Sequence, residues 1–239
     1  MLFRRRIVMV LFFSIPIIFL GIVNFTTSDR VLPFILASMG NEVYVEISEK
    51  EISLVFFAVA VTGFLCAFLA LNLIQKNYET NRRLIICGFN PIELLLSSLA
   101  SLLIITITIA LYVTFLTNFF FEIKNLSFFT ISLILSGFVY GCYGMAVGSL
   151  IKGELEGILL VVLLVNIDAG WLQNPLFYAE AQHQKLIQFL PAFYPSQSII
   201  KAAFTDYSVR NTYLYSFLYG FIFLLFSMIV FYNKMKLKK

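Results

Sequence analysis

Six apolar runs, each about as long as a helix needs to cross a bilayer, fall near residues 7 to 25, 52 to 75, 92 to 121, 126 to 150, 155 to 172 and 213 to 233. One helical crossing takes about 20 residues, so six crossings consume roughly half of the 239 residues and leave modest loops. The rest of the composition agrees. Apolar residues make up 60% and charged residues 13%, about half the charged share of soluble chains, which is too little polar side chain to clothe a globule in water. The chain therefore reads as an all-α polytopic membrane protein with six transmembrane helices, one transmembrane domain over residues 1 to 239 and no separate soluble domain. The third and fourth runs are parted only by Glu122, Lys124 and Asn125, and the fifth is short and carries Asn166 and Asp168. Five or seven crossings stay open as alternatives.

Orientation follows from the basic residues. Arg4, Arg5, Arg6, Lys76, Arg82, Arg83, Lys152, Lys234, Lys236, Lys238 and Lys239 fall on one side, eleven in all, against six on the other. Acidic residues lean the opposite way, with Asp29, Glu42, Glu46, Glu49 and Glu51 in the first outer loop. Cytoplasmic loops accumulate Lys and Arg, so both termini are expected in the cytoplasm. The same rule accounts for the net charge of +4 without nucleic acid as a partner. Arg4 to Arg6 followed by an apolar run resembles a secretory signal, but the run is long for that role and no small-residue cleavage site follows, so it is expected to stay as the first span. Cys66, Cys87 and Cys142 are too few and too far apart for a disulfide framework or a metal cluster.

Two outer segments exceed simple turns. Residues 26 to 51 end in an acidic, helix-compatible stretch. Residues 173 to 212 hold an amphipathic stretch from Tyr178 to Leu190, then Pro191 to Pro195, then a second apolar stretch from Ile199 to Phe204. Neither piece is long enough to span, yet both are apolar enough to dip into the outer leaflet, so a pair of short re-entrant or interfacial helices is expected between the fifth and sixth spans. A plain structured loop is the alternative.

The inner loop after the second span has legible punctuation. Gly88 suits a left-handed cap closing a short helix of about three turns, and Asn90 suits the N-cap of the next helix, with Pro91 at its first position and Glu93 at its third. Lys76, Glu79, Arg82 and Arg83 recur at helical spacing as a charged side, and Leu84, Ile85 and Ile86 add apolar area at the far end. The face reads either as a docking surface or as an ordinary solvated one.

The inventory of reactive groups argues against an enzyme. His183 is the one histidine, no His-Glu-x-x-His or other paired-histidine arrangement exists, and no Gly-x-x-x-x-Gly-Lys-[Ser/Thr] phosphate loop is present. No catalytic or metal-binding residue is assigned. If ATP drives this protein, another chain binds it. Asp168 is the one acid embedded in an apolar run away from a boundary; it either pairs or lines a hydrated path, or sits at the outer headgroups near Trp171. Asn166, two residues away, points to a different side of the helix. Gly137, Gly141, Gly144 and Gly148 form successive small-residue pairs that let helices approach closely, within one protomer or at a dimer seam.

Glu79 to Leu84 as Glu-x-x-Arg-Arg-Leu, Gly88 to Leu96 as Gly-x-x-Pro-x-Glu-Leu-Leu-Leu, and Leu190 to Pro195 as Leu-Pro-x-x-Tyr-Pro stand in order along this hydropathy pattern. In these features the chain resembles the integral-membrane subunits of the ATP-binding cassette type 2 permease family, those with the six-helix plan of the G-subfamily exporters. The resemblance implies that the 76 to 89 loop is a cytoplasmic coupling helix seated in a separate ATPase subunit. It also implies that the outer short helices cap the exit of the path. Members usually carry an amphipathic connecting helix before the first span; here Met1 to Arg6 is either its vestige, or contact with the ATPase relies more on the inner loops. Lys152 to Glu156 is a second inner contact candidate, or a solvated turn.

The function expected from this resemblance is that of the permease subunit of an ATP-driven exporter in the cytoplasmic membrane. It would be paired with a second permease copy or a similar subunit and with two ATPase copies, which would hold ATP and Mg. Phe56, Thr62, Asn166 and Asp168 are the candidate path residues. A path so apolar suits a hydrophobic or amphipathic cargo such as a peptide, antibiotic or lipid. An ATP-independent transporter or channel, or a non-transport membrane subunit, is the alternative.

Overall fold

The structure, a computed structural model, describes residues 6–37 and 43–235. Arg4, Arg5, Glu42, Lys236, Lys238 and Lys239, which entered the charge comparison, lie outside the described residues, as does most of the Met1 to Arg6 segment. The order is α1 (Arg6–Thr26), β1 (Val31–Ile35), β2 (Tyr44–Ser48), α2 (Glu49–Lys76), α3 (Tyr78–Ile86), α4 (Pro91–Phe120), α5 (Leu126–Leu150), α6 (Glu154–Val165) running into a π-helical turn (Asn166–Leu172), α7 (Pro175–Glu180), α8 (Gln184–Gln188), α9 (Phe193–Phe204) and α10 (Arg210–Met235).

Among the described residues five helices are long and apolar enough to cross a membrane: α2, α4, α5, α6 with its π turn, and α10. Helix α1 adds a shorter apolar stretch, Phe12–Thr26. Burial sorts them. The apolar window of α2 is 78% buried and that of α5 56%, against 28% for α10 and for α6 with its π turn. So α2 and α5 form the centre, and the outer helices turn apolar faces outward: Ile104, Leu111, Phe115 and Phe119 on α4, and Leu214, Phe217, Ile222 and Ile229 on α10, are exposed. Apolar area so continuous is unsuited to water. The architecture is that of a helical, multi-pass membrane protein.

The helices end in two sets. At one end Gln75 of α2 donates from Nε2 to the Ile151 and Gly153 carbonyls, 3.1 and 3.2 Å away, and Lys234 of α10 donates from Nζ to the Leu150 carbonyl. The ends of α2, α5 and α10 and the starts of α4 and α6 therefore share this face, called inner below. At the outer end Leu20 and Val23 of α1 pack with Phe34 and Ile47 of the strands and Ile52 of α2.

Three expectations are corrected. The first outer segment is helical only at its acidic end, where Glu49 to Glu51 open α2; before it β1 and β2 pair antiparallel, Val31 opposite Ser48 and Ile35 opposite Tyr44, a small hairpin on an otherwise helical fold. The acidic residues there obscured the period-two alternation, in which Glu46 is exposed between Val45 and Ile47. The second short outer helix begins at Phe193, not Ile199. Pro195 falls in its first turn, where a missing N–H costs no helical bond. Finally, the stretch Tyr178 to Leu190 divides between α7 and α8.

Candidate functional site

At the inner face α2 ends at Lys76 and α3 follows after Asn77. Nine residues give about two and a half turns. Tyr78 and Ile85 pack against the buried cluster that includes Ile74, Leu95 and Met235, Asn81 is buried, and Leu84 is half-buried. Glu79, Arg82, Arg83 and Ile86 are exposed. The stop is a Schellman motif: the Gly88 N–H donates to the Ile85 carbonyl at 3.0 Å and the Phe89 N–H to the Leu84 carbonyl at 3.1 Å. Gly88 has φ +100°, a left-handed conformation that a side chain strains. Helix α4 then starts on Asn90, whose Oδ1 accepts from the Ile92 N–H at 3.0 Å, with Pro91 first and Glu93 in the first turn. The result is a rigid elbow between two spans with a charged outer side. Among the described residues no salt bridge engages Glu79, Arg82 or Arg83.

Lys76 behaves differently from that group. It pairs with Glu154 at 3.8 Å, across to the Lys152 to Glu156 loop that Gln75 also grips. The two inner segments thus sit side by side and share contacts, a relation no local sequence signal announces.

In the centre the glycines of α5 meet neighbours inside the protomer. A methyl on Gly144 would lie 2.1 Å from the Ala67 carbonyl oxygen; one on Gly137 would meet Thr106 and Cys66, one on Gly141 Leu102, and one on Gly148 Leu71 and Ile74. The face grips α2 and α4. Helices α2 and α5 run side by side in parallel, and Gly63 of α2 makes room for the ring of Tyr140.

Tyr140 leads to the second polar feature. Its hydroxyl donates to Asp168 Oδ2 at 2.8 Å, the Ala192 N–H donates to the same oxygen at 3.0 Å, and Gln173 Nε2 reaches Oδ1 at 3.5 Å. Asp168 is 7% exposed and sits in the π turn that ends α6; such turns recur at functional positions. The acid is thus a buried, partnered group. Ala192 caps α9, whose positive N-terminal end favours a carboxylate.

The bonds at both ends of α9 fix its depth. Its tail is held at the outer end, where the Asn125 and Lys124 N–H groups donate to the Ala202 and Ala203 carbonyls at 3.0 and 3.1 Å. Its head lies beside Tyr140, about 20 Å further along α5 at 1.5 Å per residue. Twelve residues of helix cover about 18 Å, so α9 runs down into the bundle beside α5. It is buried over most of its length, polar residues included. Among the described residues Ser196 Oγ and Gln197 Oε1 have no hydrogen-bond partner, and Lys201, 4% exposed as a whole, has no ion pair.

Of the other candidate path residues, Phe56 and Thr62 are packed within the protomer, Thr62 with a hydroxyl that has no partner among the described residues, while Asn166 is exposed and apart from Asp168. A small cavity of about 10 Å³, room for roughly one water, lies between the hairpin, α2 and α9, lined by Phe34, Ile52, Gln173, Tyr178 and Gln197. No family model matches this chain, and no curated protein matches it significantly.

Proposed function

We propose that this chain is the permease subunit of an ATP-driven exporter, with the six-helix plan of the ATP-binding cassette type 2 permeases. In this reading α1 is the first of six spans, both termini are cytoplasmic, and the inner face is the cytoplasmic one. Two permease subunits and two copies of a separate ATPase, which bind ATP and Mg, form the working unit. The observation that carries the reading is the elbow. A short helix closed by Gly88 and restarted on Asn90 presents Glu79, Arg82 and Arg83 outward, uncommitted, between two spans.

An exposed charged face on a stiff joint suits docking, because its charges lose no internal partner when another protein takes them. Closure of the ATPase dimer would press on α3. Since α3 joins α2 and α4 through short links, the push would tilt both spans, and the Gln75 and Lys76 contacts would carry it to α6. The apolar outer faces and sparse buried charge favour a hydrophobic or amphipathic cargo, such as a peptide, antibiotic or lipid.

The test is the double charge reversal Arg82→Glu with Arg83→Glu, purified with its ATPase in lipid nanodiscs. ATP hydrolysis is expected to fall to the rate of the ATPase alone while the thermal unfolding of the permease is unchanged. Undiminished stimulation would remove the docking role.

A further inference from the structure

We propose that Asp168 is a latch that locks the head of α9 in the middle of the bundle, and that the outer half of the protein opens when α9 leaves it. The purpose of such an opening rests on the transport reading; the latch itself does not.

Three observations converge. First, the hydrogen bonds of α9 to distant parts of the chain lie at its ends: the tail is tied to Lys124 and Asn125, and the head to one carboxylate. A helix whose polar ties lie at its two ends, with ring and apolar contacts such as Tyr194 on Tyr215 and Tyr219 between them, can swing about the outer tie once the deep one lets go, because apolar contacts are not directional and can slide. Second, the closed position leaves polar groups of α9 unsatisfied. The Ser196 hydroxyl and the Gln197 carbonyl oxygen are buried without partners among the described residues, and such groups disfavour burial. An outward swing would return them to water or offer them to a passing polar group. Something must offset that preference. Third, the latch is built from three separate elements: the π turn supplies the acid, Tyr140 of α5 braces it, and Ala192 is the group held. Tyr140 is itself seated against Gly63 of α2. Because α6 begins at the inner loop gripped by Gln75 and Lys76, a displacement there reaches the latch through one helix.

The experiment measures how fast a thiol at the head of α9 reacts with a water-soluble, membrane-impermeant thiosulfonate, on the permease alone in proteoliposomes. Ser196→Cys is the reporter, since its hydroxyl has no partner to lose, in a chain with Cys66→Ala, Cys87→Ser and Cys142→Ala. A companion chain keeps buried Cys142 as its sole thiol. Tyr140→Phe removes one hydrogen bond and is expected to speed modification of the reporter about tenfold, and Asp168→Ala more than that. Asp168→Asn, which still accepts from Ala192, should fall between them and the parent. Cys142 should stay as slow as before in every variant.

An unchanged reporter rate in Tyr140→Phe and Asp168→Ala overturns the latch. So does a parallel rise at Cys142, which would mean that these residues only support the fold as a whole. If Asp168→Ala does not fold, Tyr140→Phe decides alone. Adding the ATPase and ATP separates the two readings: nucleotide acceleration at the reporter supports export, while a latch that answers its mutations but ignores nucleotide survives the loss of that reading.

Discussion

Replacing Gly144 by alanine places a methyl group 2.1 Å from the Ala67 carbonyl oxygen, 2.8 Å from its carbon and 2.9 Å from Cα, where ordinary contact begins at 3.4 Å. All three obstacles are backbone, so no side chain can rotate away. Helices α2 and α5 must part by about 1 Å, which loosens the contact between the two most buried of the long helices among the described residues. Overpacking of this kind costs about 1–3 kcal/mol, and more when backbone moves. Against it stands the gain of about 0.5–1 kcal/mol from replacing a helical glycine. A net loss of about 1–2 kcal/mol is expected for Gly144→Ala. Gly21→Ala is the matched control: nothing lies within 4 Å of the added methyl, so only the gain should remain. Unfolding by SDS in mixed micelles, followed by helical circular dichroism, gives both values. If Gly144→Ala is as stable as Gly21→Ala, the close α2–α5 approach is not what holds the centre together.

Further outcomes follow from the same geometry. Gly88→Ala meets no clash but must adopt φ near +100°, so α3 should fray at its end at a cost of about 1–2 kcal/mol, read as faster hydrogen exchange at the Gly88 and Phe89 amides. Lys76→Met removes a 3.8 Å ion pair whose partners are both largely exposed, and should shift unfolding by less than about 1 kcal/mol. Lys201→Met keeps the buried stem and removes only the charged tip, which has no ion pair among the described residues, and should shift unfolding by less than about 1 kcal/mol in the same titration.

What could be read in advance was local. The elbow was legible because Gly88, Asn90, Pro91 and Glu93 act through their own backbone and neighbours, and the long helices fall within a few residues of the apolar runs. The glycines of α5 signalled a close approach, though not to which helix. The hairpin was missed because acidic residues were weighed above the alternation of Tyr44, Val45, Glu46 and Ile47. The start of α9 is hidden in the sequence by Pro191 and Pro195, although a proline in a first turn breaks nothing. The partners of Asp168 had no sequence signature: Tyr140 is 28 residues away, and Ala192 contributes only a backbone N–H. A buried acid could be flagged from sequence, but what it holds depends on how the chain folds back.

The central claim, that α3 is a cytoplasmic lever gripped by an ATPase, is tested most directly by a photo-crosslinking side chain at the exposed position of Thr80, irradiated in intact membranes. The account predicts an adduct with a chain that also takes up an ATP analogue, formed only when the cytoplasmic side retains that chain. Position 80 reacting instead with a reagent confined outside the cell would contradict it.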